Sequence, residues 1–296
     1  MSQASAGTAR SAAGSSRRAQ LRQARLYLVT DDETAESDLP GLIARAVAGG
    51  VEVVQLRRKQ SRPEELTELA ARCRDSAHDG GALFLVDDHV ELALEIGADG
   101  VHIGQADLGP AEARSRLGGE LLLGLSTHSK QDVVRAASQP VDYVSAGPVH
   151  MTPTKPGRPA VGFRHISVAA ARSSVPVVAI GGLGVENVGE AMAAGADMVA
   201  VVRAICLADD PGAVAAELRA AIAASPTWIS LEVNGQQRKA PSGSSIESYL
   251  ELLELPLDGV AVERNGEILR APELAAASLQ SGDELELVHL VGGGHG

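Results

Sequence analysis

The stretch ALFLVDDHVELALEIGADGVHIGQAD, residues 82–107, decides the fold of this chain. It opens with a nearly continuous apolar run, 82–88, which is typical of a strand buried on both faces. Residues 89–98 then space their apolar side chains as one face of a helix does, and a second apolar run follows at 100–104. This order predicts a β–α–β unit, the building block of a parallel sheet covered by helices.

The same alternation runs through most of the chain. The strand-like runs are 26–31, 51–57, 82–88, 100–104, 121–127, 143–149, 176–182 and 198–204, with helical patterns between them. Because eight units fit within about 200 residues, the pattern favours an α/β fold of the closed (β/α)8 TIM-barrel type over an open doubly wound sheet. We predict this barrel over residues 25–225. The Ser/Ala/Arg-rich leader, residues 1–24, has no apolar core segment and is expected to be disordered.

A second unit follows a change in composition near Ser225. Residues 227–296 contain strand-like runs, one helical stretch and an Asn-Gly hairpin signal, which together predict a small α+β domain. This segment holds 11 acidic and 4 basic side chains, against 27 and 22 in the rest of the chain. It ends in VGGGHG, and because glycine loses more backbone entropy on ordering than any other residue, we expect a flexible tail.

Composition narrows the classes of partner. A formal net charge of −12 and few aromatic residues argue against nucleic acid and against an anionic membrane surface. No apolar stretch approaches the roughly 20 residues that cross a bilayer. The two cysteines, Cys73 and Cys206, are far apart without metal-ligand spacing, which is typical of buried thiols in a cytoplasmic protein.

In barrels of this kind, function gathers at the carboxyl ends of the strands. The second strand ends in QLRRK, and strand alternation points Gln55, Arg57 and Lys59 toward one side. Such a row indicates an anion at the mouth, with a solvated charge run as the alternative. Asp88 ends the third strand and Asp107 follows the fourth, so both reach the same rim, and paired carboxylates beside cations favour Mg²⁺ shared with phosphate oxygens. Helix capping is the alternative for Asp107.

Later strand ends indicate a second anion site. Ser126 lies at the end of strand five, and the loop after strand six carries Thr152, Thr154 and Lys155 between prolines and glycines. Strands seven and eight end in AIGGLG and AVVRA, the usual phosphate seat of such barrels, where backbone N–H groups point at an anion. Two anion sites around one mouth point to a transferase that joins two phosphorylated substrates.

These motifs, in this order, resemble those of the thiamine-phosphate synthase family: QLRRK, VDDHVELALEIGADGVHIGQAD, LGLSTH, GPVHMTPTK and AIGGLG, over residues 26–225. The resemblance implies that hydroxymethylpyrimidine diphosphate is joined to a thiazole phosphate, or its carboxylate form, with release of pyrophosphate. By the same resemblance the pyrimidine diphosphate contacts Gln55, Arg57, Lys59, Asp87, Ser126 and Lys155. Of these, Arg57, Lys59, Lys155 and Ser126 are implied to be catalytic.

The resemblance also implies that Asp88 and Asp107 hold Mg²⁺. The thiazole phosphate is implied to contact Thr152, Thr154, Gly182 and the backbone of Val202 and Arg203. The chain departs from the family pattern at Asp87, where an amide is usual, and at Arg203, where serine is frequent. His102 and His128 are expected to be structural. A thiazole tautomerase, related in sequence, and a carrier with an inactive barrel are the alternatives.

Residues 227–296 resemble the ubiquitin-like β-grasp sulfur carrier of thiamine biosynthesis, through VNGQ, AVERNGEI and SGDELELVHLVGGG. The resemblance implies a terminal glycine thiocarboxylate, with Gly293 and Gly294 as the working end. It implies an E1-like adenylating enzyme, a sulfur donor and a thiazole synthase as partners. His295 and Gly296 follow that end, so we predict that a protease removes them. The barrel exterior leaves room for a homo-oligomer.

Overall fold

Eight parallel strands close into a barrel in this protein, as a computed structural model that describes residues 3–152, 157–257 and 260–289 shows. The first strand pairs with both the second and the eighth, and each remaining strand pairs with its neighbours in sequence. The TIM-barrel prediction is therefore confirmed. The barrel strands are β1 Leu26–Val29, β2 Val53–Leu56, β3 Leu83–Asp87, β4 Gly100–Ile103, β5 Leu122–Thr127, β6 Tyr143–Ala146, β7 Val177–Ile180 and β8 Met198–Val201.

Helices surround the barrel and fill the crossovers between its strands. They are α1 Gln3–Gln23, α2 Leu39–Ala48, α3 Pro63–Asp79, α4 Val90–Ile96, α5 Pro110–Leu117, α6 Lys130–Ala136, α7 Gly162–Arg172, α8 Val188–Ala193, α9 Arg203–Cys206 and α10 Pro211–Ala223.

Strand alternation divides the apolar side chains into two cores. In β1, Leu26 and Leu28 pack outward against the helices, whereas Tyr27 and Val29 point into the barrel. The inner core is small and carries polar groups from the strands, so the barrel interior can hold a hydrogen-bonded network directly under the mouth.

The leader is ordered, in contrast to the prediction from its sequence. It forms helix α1 across the amino-terminal end of the barrel, where Leu21 is buried in the inner core. Arg17 Nε lies 2.7 Å from Asp99 Oδ1, and Arg18 Nε lies 2.6 Å from Asp142 Oδ1. The prediction of disorder was wrong because the composition of a segment does not reveal the acidic partners that fold it onto another part of the chain.

The C-terminal domain begins directly after α10. Its sheet has the order β10–β9–β13–β11–β12, with β13 parallel to β9 and the other pairs antiparallel. Helix α11 packs on one face, where Leu231, Tyr249 and Leu285 are buried. The elements are β9 Trp228–Val233, β10 Gln236–Pro241, α11 Ile246–Leu252, β11 Val260–Arg264, β12 Glu267–Leu269, α12 Ala271–Leu274 and β13 Glu284–His289.

Among the described residues, none of the helices has the length and apolar character needed to cross a bilayer.

Candidate active site

The row predicted at the end of β2 faces the barrel mouth. Gln55 is buried inside the barrel, where its Nε2 donates to the Tyr27 hydroxyl at 2.9 Å. Arg57 lines the same inner pocket, and Lys59 extends toward the carboxylates at the end of β3. Arg58, which alternates with them, is buried on the other side and donates to the Thr34 carbonyl at 2.6 Å. Alternation along the strand therefore separates the mouth cations from a structural arginine.

Asp87 is the buried counter-ion of both mouth cations. Its Oδ2 lies 3.0 Å from Lys59 Nζ and 3.8 Å from Arg57 Nε. Partial burial alone would lower the pKa of Lys59, but the charges of Asp87 and Asp88 raise it above its usual value. Lys59 thus stays an ammonium, held between two carboxylates at the rim.

Asp88 and Asp107 come together from neighbouring strand ends, as the sequence predicted. The Asp107 carboxyl lies close enough to raise the pKa of Asp88, and Asp88 is also paired with Lys59. Burial, followed by the charge of Asp87, raises the pKa of Asp88 to about 6. Asp88 has a φ of 63°, in the left-handed region that Asp and Asn tolerate better than most residues. The strand end is thus turned so that its carboxylate meets the next strand.

This pair suits a hard cation. Two neighbouring carboxylates, when deprotonated, offer the oxygen ligands that Mg²⁺ prefers. Within the described part of the chain, no three His, Cys, Asp or Glu side chains are grouped to hold a metal by themselves. Asp107 Oδ2 also accepts from the Gly104 N–H at 2.8 Å, whereas the cap of α5 is Gly109, so helix capping is not its role.

A buried chain of hydrogen bonds crosses the barrel interior below the mouth, and the sequence analysis missed most of it. Ser126 Oγ lies 2.9 Å from His102 Nε2, and His102 Nδ1 lies 2.9 Å from the Tyr143 hydroxyl. Tyr143 is hydrogen-bonded at 2.9 Å to Tyr27, which accepts from Gln55. This series of hydrogen bonds has Ser126 at one end and Gln55 at the other, and it fixes the orientation of both side chains.

A signal for this network was present in the sequence. The chain has only three tyrosines, and two of them stand within predicted strands. Gly124 leaves room for one of them, because a Cβ at that position would lie 2.1 Å from the Tyr143 ring. Asp32 was also missed: it lies 3.4 Å from Arg57 Nη1 and accepts from the Lys59 N–H at 2.8 Å.

The other half of the mouth is a cavity of about 250 Å³ walled by loops after β6, β7 and β8. Thr152, Gly182, Val202 and Arg203, which the resemblance assigns to the thiazole phosphate, line it. Gly182 has a φ of 64°, and a Cβ there would lie 2.8 Å from the His150 side chain, so this wall depends on glycine. Thr154 and Lys155 lie outside the described residues.

The two halves of the mouth adjoin. The cavity shares Ser145, Ile180, Ala200 and Val202 with the inner pocket that Arg57, Asp87 and Ser126 line. Arg57 and Asp87 at one side and the glycine-rich wall at the other therefore face a common space. His128 also lines the cavity, and its Nδ1 donates to the Gly147 carbonyl at 2.7 Å, which agrees with a structural histidine.

Comparison with known proteins assigns the barrel to a family. Residues 26–205 match the family model described as thiamine monophosphate synthase. The chain belongs to this family. A thiamine-phosphate synthase of Gloeobacter violaceus is 44% identical over 201 residues, which are 68% of this chain and 58% of that protein. The chain thus spans little more than half the length of that relative.

Other members of the thiamine monophosphate synthase family are matched over nearly their whole length. The thiamine-phosphate synthase of Acidothermus cellulolyticus is 43% identical over 70% of this chain and 99% of that protein. The solved thiamine phosphate pyrophosphorylase of Pyrococcus furiosus superposes with a TM-score of 0.62 at 31% identity, covering 69% of this chain and 98% of the other. The similarity to these two proteins therefore lies in the barrel.

The C-terminal domain has its own match. Residues 212–294 match the ThiS family, which confirms the resemblance to a sulfur carrier with a β-grasp fold. Gly293 and Gly294 lie outside the residues that the structure describes.

Proposed function

We propose that the barrel joins hydroxymethylpyrimidine diphosphate to a thiazole phosphate, giving thiamine phosphate and pyrophosphate; if the carboxylate form of the thiazole is used, the carboxylate also leaves as carbon dioxide. The observation that carries this proposal is the series of ion pairs from Arg57 through Asp87 and Lys59 to Asp88 at the barrel mouth. At its Arg57–Asp87 end this series adjoins a glycine-walled cavity of about 250 Å³. The charged side suits a diphosphate bound together with a metal ion, and the glycine-walled cavity suits a phosphate bound without a metal ion.

The reaction follows from these charges. The bond between the pyrimidine methylene carbon and the diphosphate oxygen breaks, and the electron pair leaves with pyrophosphate. The thiazole nitrogen then donates its lone pair to the methylene cation, which forms the new C–N bond. Arg57 and Lys59 stabilise the negative charge that develops on the leaving group, and Lys155 is proposed to join them. Because the nitrogen attacks with a free lone pair, the step needs no strong base.

Substrate contacts are proposed for the remaining residues of the mouth. Gln55, Asp87 and Ser126 would contact the pyrimidine diphosphate; Thr152, Thr154, Gly182 and the backbone of Val202 and Arg203 would contact the thiazole phosphate. Asp88 and Asp107 would hold Mg²⁺. When bound, the cation neutralises charge on the diphosphate and makes it a better leaving group.

An assay of the full chain with both substrates tests this function. We expect equal amounts of thiamine phosphate and pyrophosphate, and a fall of about a hundredfold or more in turnover for Arg57→Met. Arg62→Met is the matched control, because Arg62 is exposed and its ion pair, within the described part of the chain, is with Glu65 near the start of α3. Isomerisation of the thiazole phosphate carboxylate without any coupling would instead support the tautomerase alternative. Lack of both activities would support an inactive barrel.

The C-terminal domain is proposed to carry sulfur as a thiocarboxylate on Gly294. Such a carrier requires an E1-like adenylating enzyme, a sulfur donor and a thiazole synthase, and the product of that last enzyme would supply the barrel after phosphorylation. His295 and Gly296 would block the working end, so a protease is proposed to remove them. Intact mass of the protein from its native host tests this step: we expect a chain ending at Gly294, and a full-length unmodified terminus would contradict it.

We also propose a cytoplasmic location, in which Cys73 and Cys206 remain the buried free thiols that the structure contains.

A further inference from the structure

An acidic residue immediately precedes every second strand of the barrel, at its amino-terminal end. Each carboxylate accepts a backbone N–H from the preceding strand or the residue before it, at 2.6–2.9 Å. The acids and the strands they precede are Glu52 before β2, Asp99 before β4, Asp142 before β6 and Asp197 before β8. The barrel thus carries four equivalent acidic positions on this face, which we call the acid ring.

A cation from outside the barrel strands pairs with each member of the acid ring. Helix α1 supplies Arg17 to Asp99 and Arg18 to Asp142, and helix α10 supplies Arg219 to Glu52. For Asp197, the cation is Lys239 on strand β10 of the C-terminal domain, with Nζ 2.7 Å from Oδ2. The C-terminal domain therefore supplies the cation for Asp197, just as helix α1 supplies the cations for Asp99 and Asp142.

The indole of Trp228 covers the backbone beside this pair. Gly195 has a φ of 99°, and a Cβ there would lie 2.6 Å from the Trp228 ring. The indole Nε1 donates to the Ala193 carbonyl at 2.9 Å, and Lys239 Nζ also donates to the Gly195 carbonyl at 2.8 Å. Charge, hydrogen bonding and close packing therefore meet at the loop between α8 and β8.

A second ion pair between the domains provides an internal comparison. Lys130 pairs with Glu254, but these side chains are 46% and 41% exposed, against 21% and 27% for Lys239 and Asp197. Water screens the first pair more strongly, and exposed ion pairs contribute little to stability. Lys239 also satisfies a backbone carbonyl, which Lys130 does not do in the described contacts.

We infer that Lys239 and Trp228 dock the C-terminal domain onto the acid ring, so that the carrier is a fixed part of the barrel and its partners act on it in the docked position. The linker between α10 and β9 is only residues 224–227, which leaves little freedom for an undocked domain. The inference concerns the junction of the domains and holds whether or not the barrel has the proposed activity.

The only tryptophan of the chain reports directly on this junction. Acrylamide quenching of Trp228 fluorescence in the folded full-length protein should increase at least twofold in Lys239→Met and remain unchanged in Lys130→Met. In urea, loss of Trp228 fluorescence and loss of helical circular dichroism should coincide for the wild type and Lys130→Met. For Lys239→Met, the fluorescence should change at a lower urea concentration than the circular dichroism. For Lys239→Arg, the two transitions should again coincide. Equal quenching in both Met variants, or a wild-type Trp228 as accessible as in a short peptide, would overturn the inference.

Discussion

The Lys59 ammonium lies 3.0 Å from the Asp87 carboxylate, so the mouth contains its own counter-ion before any substrate arrives. Asp87 is buried, and Arg57 Nε lies 3.8 Å from the same carboxylate oxygen. A bound diphosphate would bring further negative charge to both cations. Asp87 therefore holds the cations in place, but it also opposes the anion that the site is proposed to bind.

Asp87→Asn should strengthen binding of the pyrimidine diphosphate. The change removes one negative charge next to the diphosphate site, so we expect KM for that substrate to fall about three- to tenfold. Steady-state kinetics with varied pyrimidine diphosphate measures the effect. Asp75→Asn is the control, because it removes the same charge from an exposed pair with Arg74. An unchanged or higher KM in Asp87→Asn would contradict the statement that the charge of Asp87 opposes diphosphate binding.

The glycine wall of the cavity predicts a selective defect in Gly182→Ala. A Cβ there meets the His150 side chain at 2.8 Å, so the loop must shift within the proposed phosphate seat. We expect KM for the thiazole phosphate to rise about tenfold or more, with little change for the pyrimidine diphosphate.

Gly118→Ala separates crowding from backbone strain. Gly118 also has a positive φ, of 71°, but nothing lies within 4 Å of a Cβ placed there. Both variants should lose about 1–3 kcal/mol of stability, because each substitution forces a side chain onto a backbone with positive φ, whereas only Gly182→Ala should change KM. A KM effect in Gly118→Ala of similar size would show that strain alone, and not the wall, accounts for the defect.

The buried network predicts an unequal response of two tyrosines. Tyr143→Phe removes the hydroxyl between Tyr27 and His102, leaving buried polar atoms without that partner, so unfolding free energy should fall by about 1–3 kcal/mol. Tyr249→Phe is the control, since its hydroxyl makes only a 3.5 Å contact with the Ala171 carbonyl. Urea denaturation compares the two, and equal losses would argue against a network that depends on Tyr143.

The sequence was sufficient for the barrel and for the convergence of residues at strand ends. Buried parallel strands have nearly continuous apolar sequences, so they can be recognised directly. Closure of the barrel then brings their carboxyl ends to one rim, whatever their separation in the chain. Arg57, Lys59, Asp88 and Asp107 could therefore be placed together without knowledge of any side-chain contact.

What the sequence did not predict depends on contacts between distant segments. Arg17 and Arg18 order the leader by pairing with carboxylates at Asp99 and Asp142, and nothing within residues 1–24 specifies those partners. The same holds for Tyr143, whose hydroxyl reaches Tyr27 across the inside of the barrel. Such a link depends on barrel closure and side-chain direction, which periodicity alone does not supply.

The central claim is that cations and carboxylates from several strands act together on one diphosphate. Calorimetric binding of inorganic pyrophosphate to the full chain, with and without Mg²⁺, tests it most directly for wild type and Asp107→Asn. We predict that Mg²⁺ strengthens wild-type binding about tenfold or more, and that Asp107→Asn loses this gain while keeping the wild-type affinity without metal. If Mg²⁺ strengthens binding equally in both proteins, Asp107 does not share a site with the diphosphate and the account is wrong.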